Sequence, residues 1–176
     1  MRASSMPMVA RCIISALLAA APASAAVVSS SPAQFTLGYS EHVNATPEAV
    51  WAVATQPSRW WSAQHSYSGN AGNFSLDAHA GGCWCERWGA NSVEHARVVM
   101  ALPGKVLRAV GGFGPLQQFP VYAVLSIEMK PDGNGTLLRM TYAAAGDLPG
   151  GLAEMAPGVD GVLGAQFAGL VVAISR

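Results

Sequence analysis

Two glutamates, Glu86 and Glu94, have the residue type and the spacing best suited to chemistry in this sequence. Both lie in segments of alternating residues that a glycine-containing turn would fold into a hairpin. Their shared face would also carry apolar side chains, namely Trp84, Trp88, Val98 and Met100. Two carboxylates close together in an apolar surrounding raise the pKa of at least one of them, which suits a general acid or base. Alternatively both are solvated, or each pairs with an arginine: Arg87, Arg97 or Arg108.

Aromatic side chains supply enough flat apolar surface for either a ligand pocket or a filled core. Small-molecule sites are concave and mostly apolar, but tryptophan is highly buried in most proteins whether or not a ligand binds. Both interpretations stay open for each residue. Besides the two glutamates, the candidates for the pocket lining are Trp60, Trp61, Trp84, Trp88, Met100, Phe113, Tyr122, Tyr142 and Phe167.

Histidines near these residues receive weaker assignments. His65 and Tyr67 follow a double tryptophan and would form either the mouth of the pocket or an ordinary exposed loop. Strict alternation along the strand places His95 and Arg97 on the opposite face to Glu94. We therefore expect His95 and Arg97 on the convex outer face.

The cysteines at positions 83 and 85 form a C-x-C pair. We interpret them as half-buried thiols, because a bridge between residues two apart is geometrically awkward. A strained disulfide in an oxidising compartment is the alternative. His79 would complete only a weak metal cluster, since structural zinc sites usually need C-x2-C spacing and a fourth ligand. We predict no metal and no cofactor.

Composition excludes several classes of function. The chain has 176 residues, of which 51% are hydrophobic and 11% charged, and its formal net charge is zero. It contains no basic stripe, so nothing indicates a nucleic-acid partner. It also lacks a P-loop, a dinucleotide-binding glycine motif, a zinc-protease motif and a nucleophile elbow.

The N-terminus has the pattern of a secretory signal. Arg2 and Arg11 precede an apolar run at 12–21, and Ala23-Ser24-Ala25 fits a signal peptidase site. The run is too short for a membrane span, so we expect no integral membrane segment, although an apolar helix that stays attached is the alternative. We predict a signal peptide at 1–25, a linker at 26–33, a single domain at 34–176 and a periplasmic or secreted protein.

The pattern of the mature chain predicts strands followed by one long helix. A strand over 35–43 leads into a helix that Thr46 would cap, and a second short helix or turn follows Pro57. Period-two alternation then runs from Phe74 to Tyr142. The C-terminal segment changes to helical spacing, with Met155, Val159, Leu163, Phe167, Leu170 and Ile174 on one side. Its glycines make it unstable alone, so it must lie on the sheet.

Four short motifs in this order carry a family resemblance. They are TPEAVW at 46–51, PSRWW at 57–61, AGG at 80–82 entering a strand, and Val98-x4-Pro103-x3-Leu107. The chain resembles the SRPBCC (START-like, helix-grip) superfamily, in its polyketide-cyclase and chaperone-ATPase-activator-homologue branch. The resemblance implies an α+β fold: a curved antiparallel sheet of about six to seven strands wrapped around a long C-terminal helix. Two short helices would follow the first strand, and a cavity would lie between sheet and long helix.

Fold alone does not fix function, because this superfamily includes carriers, cyclases, hormone receptors and co-chaperones. We expect an exported protein that binds a hydrophobic small molecule or lipid in the cavity. One alternative is a polyketide cyclase/aromatase-like or hydrolytic enzyme with Glu86 and Glu94 as acid and base. Another is a co-chaperone-like module for protein interaction. Nothing in the sequence indicates the oligomeric state.

Overall fold

Alternating apolar and polar residues form eight strands that belong to one antiparallel sheet. The computed structural model describes residues 26–176, so the predicted signal peptide lies outside the described residues. The strands are β1 Ala26–Ser31, β2 Gln34–Val43, β3 Phe74–Leu76, β4 Cys83–Trp88, β5 Asn91–Leu102, β6 Val106–Val110, β7 Val121–Asp132 and β8 Gly135–Gly146. Their order across the sheet is β1-β2-β8-β7-β6-β5-β4-β3. The predicted α+β arrangement is confirmed.

The strand β1 is an addition to the prediction, which assigned 26–33 to a linker and counted six to seven strands. Its residues pair antiparallel with β2, from Ala26 opposite Gly38 to Ser31 opposite Gln34. The prediction missed it because a Ser- and Ala-rich edge strand has no apolar alternation. Pairing with a neighbouring strand, rather than intrinsic preference, decides its conformation.

Two α-helices complete the fold. The first, α1, spans Pro47–Ala54, and its N-cap Thr46 accepts a hydrogen bond from the amide of Ala49 at 3.3 Å. The predicted second short helix is a 3₁₀ turn at Pro57–Arg59. The long helix α2 spans Leu152–Ile174.

The helix α2 lies on the sheet, against β1 and β2 in particular. Its buried side includes Leu163, Phe167 and Leu170. Gly169 permits the close approach, because a Cβ there would lie 2.5 Å from the carbonyl oxygen of Trp60. Within residues 26–176, α2 is the one helix whose length and composition would allow a membrane span, a test that the core helices of soluble proteins also pass.

Two β-bulges in β5 decide which of its side chains face inward. Trp84 pairs with Ala96 and Cys85 with Glu94, so His95 is an extra residue between two pairs. A second bulge makes Val99 an extra residue opposite β6. An extra residue breaks the period of two and changes the direction of the side chains around it.

The predicted faces of β5 are therefore wrong at three positions. His95, predicted on the convex face, is 3% exposed, next to buried Ala96. Glu94 and Met100, predicted on the inner face, point outward. The cause is the two bulges, one beside His95 and the other beside Met100.

Candidate ligand cavity

A cavity of about 480 Å³ lies between the sheet, the N-terminal half of α2 and two loops. Its buried wall consists of five side chains: Trp61, His95, Leu116, Tyr142 and Leu163. The helix adds the partly buried Met155, Val159 and Val162, and exposed residues stand at the rim, namely Gln64, Tyr67, Pro115 and Glu154. The wall is predominantly apolar, with few polar groups.

Gln166 fastens the first loop, which contains Trp61, to α2. This side chain is fully buried, and its Oε1 accepts the amide hydrogen of Ser62 at 2.7 Å. Its Nε2 donates to Nδ1 of His65 at 2.7 Å and to the carbonyl of Val162 at 3.2 Å. The sequence signal for this role was a lone amide within an apolar helix, which our prediction did not use.

The second loop holds Phe113 in a strained backbone conformation, with φ of 40°. Non-glycine residues seldom adopt positive φ, and such strain persists only where the surroundings impose it. Here the Phe113 ring stacks on Trp61 at 5.9 Å, and Tyr142 donates its hydroxyl to the carbonyl of Gly112 at 3.0 Å. Burial raises the pKa of Tyr142, so that hydroxyl stays a donor.

Glu86 is fully buried beside the cavity wall and is held by three donors. Its Oε1 accepts the amide of Ser68 at 2.6 Å. Its Oε2 accepts the amide of Tyr67 at 3.1 Å and lies 3.0 Å from Nε2 of His95. Burial alone would raise the pKa of Glu86, but hydrogen bonds from Ser68, Tyr67 and His95 outweigh it and lower the pKa. The carboxylate is therefore ionised.

His95 joins Glu86 to the cavity. Burial lowers the pKa of His95 more than the neighbouring carboxylate raises it, so the ring is neutral near pH 7. An ionised carboxylate only accepts hydrogen bonds, so Nε2 carries the ring proton and Nδ1 keeps a lone pair. The imidazole stacks on Tyr67 at 5.8 Å and on Phe113 at 6.3 Å.

The structure brings only part of the predicted lining together. Trp61, Phe113 and Tyr142 line the cavity, as do His65 and Tyr67 at its mouth. Four predicted aromatic residues lie elsewhere: Trp60, Trp84 and Phe167 in the core, and the half-buried Trp88 at the end of β4. Tyr122 and Met100 are exposed on the outer surface, at 63% and 37%.

The predicted pair of acidic groups is not assembled. Glu86 is enclosed, whereas the Glu94 side chain is 44% exposed and forms an ion pair with Arg97 at 2.5 Å. The bulge at His95 separates them onto different faces of the sheet. Two carboxylates therefore do not share one apolar site, and Glu94 follows the alternative interpretation, in which an arginine is its partner.

The two cysteines form a disulfide, so their interpretation as thiols is wrong. Their Cα atoms lie 5.4 Å apart, within the range that a disulfide spans. Across residues 26–176, no three His, Cys, Asp or Glu side chains are grouped as a metal site requires.

The sequence and the fold both match known proteins. The sequence model of a family described as polyketide cyclase/dehydrase and lipid transport matches residues 34–174. CalU16 from Micromonospora echinospora is 17% identical with a TM-score of 0.55, covering 81% of this chain and 78% of that chain. Protein MLL2253 from Mesorhizobium loti is 18% identical with a TM-score of 0.55, covering 80% and 97%. The TM-scores show a shared helix-grip fold, and no curated protein matches the sequence.

Proposed function

Because the chain belongs to the polyketide cyclase/dehydrase and lipid transport family, we propose that it binds a hydrophobic small molecule or lipid between the sheet and α2. The observation that carries the proposal is the cavity of about 480 Å³ with its predominantly apolar wall. Ligand pockets have roughly 300–1,000 Å³ and combine apolar walls with a few polar groups. The cavity has both properties.

Contacts within the protein hold both loops of the cavity wall in place. Gln166 anchors one loop through two hydrogen bonds, to Ser62 and His65, and the Phe113 loop is held by Trp61 and Tyr142. Ordered side chains that already have partners inside the protein need little rearrangement when a ligand enters. Binding to such a preformed site loses less free energy to ordering.

We also propose that the protein is exported. Support comes from the signal-like pattern of residues 1–25 and from the disulfide, because disulfides persist mainly in oxidising compartments. Protein recovered from the periplasm or the medium should begin at Ala26. Recovery of the full-length chain from the cytosol alone would contradict export.

A glycine on α2 offers a direct test of the binding proposal. Gly158 lines the cavity, and a Cβ built on it meets no atom within 4 Å. Gly158→Leu should therefore occupy the space that a ligand needs without disturbing the fold. We expect fluorescence titration with N-phenyl-1-naphthylamine to show about tenfold weaker binding, corresponding to roughly 1.4 kcal/mol.

Gly161→Leu is the matched control, because Gly161 is exposed on the same helix and equally open but does not line the cavity. Both changes replace a poor helix former with a good one. The control should bind the probe as the wild type does. No binding by the wild type, or equal loss in both variants, would refute the proposed function.

A further inference from the structure

Two buried polar side chains stand in the cavity wall, and one of them has a nitrogen without a partner. His95 and Tyr142 are 3% and 1% exposed. The hydroxyl hydrogen of Tyr142 is donated to Gly112. His95 donates a hydrogen bond from Nε2 to Glu86, and no residue in 26–176 forms a hydrogen bond with its Nδ1.

This Nδ1 atom remains accessible. Two side-chain polar atoms in the described part of the chain are both inaccessible to solvent and without a hydrogen-bond partner. They are the indole Nε1 atoms of Trp60 and Trp84. Nδ1 of His95 is not among them, so it keeps some accessible surface. Because the ring lines the cavity, we infer that this surface opens toward the ligand space.

Two energetically unfavourable features of the fold, a buried carboxylate and a β-bulge, position the His95 ring. A buried carboxylate is costly unless it is well hydrogen-bonded, and a bulge interrupts the ladder of a strand pair. Together they hold the imidazole in one position and one tautomer: the bulge turns His95 inward, and Glu86 fixes the proton on Nε2. Two main-chain amides, of Tyr67 and Ser68, hold Glu86 in turn.

We propose that the ligand of this cavity is an apolar molecule that carries a hydroxyl group, and that the hydroxyl donates to Nδ1 of His95. A lone pair on a neutral ring accepts a hydrogen bond and offers none. A hydroxyl satisfies it, whereas an ether or carbonyl oxygen would bring a second acceptor against it. The inference rests on the proposed function and adds the chemical class of the ligand.

Three small probes of similar shape test the proposal: naphthalene, 2-naphthol and 2-methoxynaphthalene. Each competes with N-phenyl-1-naphthylamine, which yields an inhibition constant for every protein variant. In His95→Phe the ratio of 2-naphthol affinity to naphthalene affinity should fall about tenfold from its wild-type value, as expected for loss of one buried hydrogen bond. The corresponding ratio for 2-methoxynaphthalene should not fall in His95→Phe, because its ether oxygen has no hydrogen to donate to Nδ1.

His42→Phe is the matched control, since His42 is exposed on β2 and does not line the cavity. It should keep the wild-type ratio. If naphthalene binds and the 2-naphthol ratio is the same in wild type and His95→Phe, the inference is overturned and the proposed function stands. If no probe displaces the dye from the wild type, the proposed function itself fails.

A second measurement uses only the wild type, so it does not depend on whether His95→Phe folds. In ¹⁵N spectra of the labelled imidazole, the His95 ring should be neutral, with its proton on Nε2. Saturating 2-naphthol should shift the Nδ1 resonance in the direction of an accepted hydrogen bond, and naphthalene should not. A ring with its proton on Nδ1, or an Nδ1 resonance that does not shift when 2-naphthol binds, would overturn the inference.

Discussion

Glu86 and His95 show how burial and hydrogen bonding set the charge of single residues. The carboxylate has three donors and stays ionised, whereas the imidazole is desolvated and stays neutral. From the sequence, the inward direction of Glu86 followed from its alternation with Trp84. The position of His95 did not, because a bulge depends on how two strands pair and leaves no mark in the pattern of one strand.

The lowered pKa of His95 predicts a loss of stability on mild acidification. In the unfolded chain, His95 becomes protonated near pH 6.5, whereas in the folded protein it becomes protonated only at a lower pH. This contribution is fully present above about pH 6.5 and is lost as the pH falls through the lower folded pKa, at up to about 1.4 kcal/mol per pH unit. Glu86 adds a further loss only below about pH 4.5, as the pH approaches its own lowered pKa. Guanidinium unfolding between pH 7.5 and pH 5 measures the slope.

His95→Phe should flatten that slope even though it lowers the unfolding free energy at pH 7 by leaving Glu86 with one donor fewer. The exposed His42→Phe should leave the slope unchanged. A slope that is the same in the wild type and in His95→Phe would contradict a neutral buried His95.

At the scale of elements, β5 and the loop after Trp61 determine the shape of the site. Alternation correctly predicted that Val98 faces inward, but His95, Glu94 and Met100 departed from it because of the two bulges. Helical spacing located α2 and its buried Leu163, Phe167 and Leu170. It could not identify Gln166 as an anchor, because the partners of Gln166 lie about 100 residues away in sequence.

Gln166→Leu should loosen the loop from α2 while nearly keeping the side-chain volume. The amide of Ser62 loses its acceptor, which costs about 1–3 kcal/mol. Hydrogen–deuterium exchange should show faster exchange at Ser62 and its neighbours. Gln64→Leu, an exposed change in the same loop, should alter stability by no more than about 0.5 kcal/mol. Unchanged exchange at Ser62 in Gln166→Leu would show that packing alone holds the loop.

At the scale of the whole molecule, the order of strands and helices was the property most readily predicted. Long alternating segments such as β7 and β8 and the helical spacing of α2 are signals that each segment carries by itself. Three features could not be predicted because they depend on tertiary contacts: the edge strand β1, the disulfide, and which aromatic residues lie in the core and which in the cavity wall. Trp60 and Trp61 illustrate this, since adjacent tryptophans divide between the core and the cavity wall.

The central claim is that an apolar ligand enters the space between the sheet and α2. Isotope-filtered nuclear Overhauser spectra of the labelled protein with unlabelled naphthalene test it most directly. We expect contacts from naphthalene protons to the methyl groups of Met155, Val159 and Leu163 and to the ring of Phe113. Contacts only to outward-facing residues such as Val99 and Leu102, or no contacts at saturating naphthalene, would contradict the account.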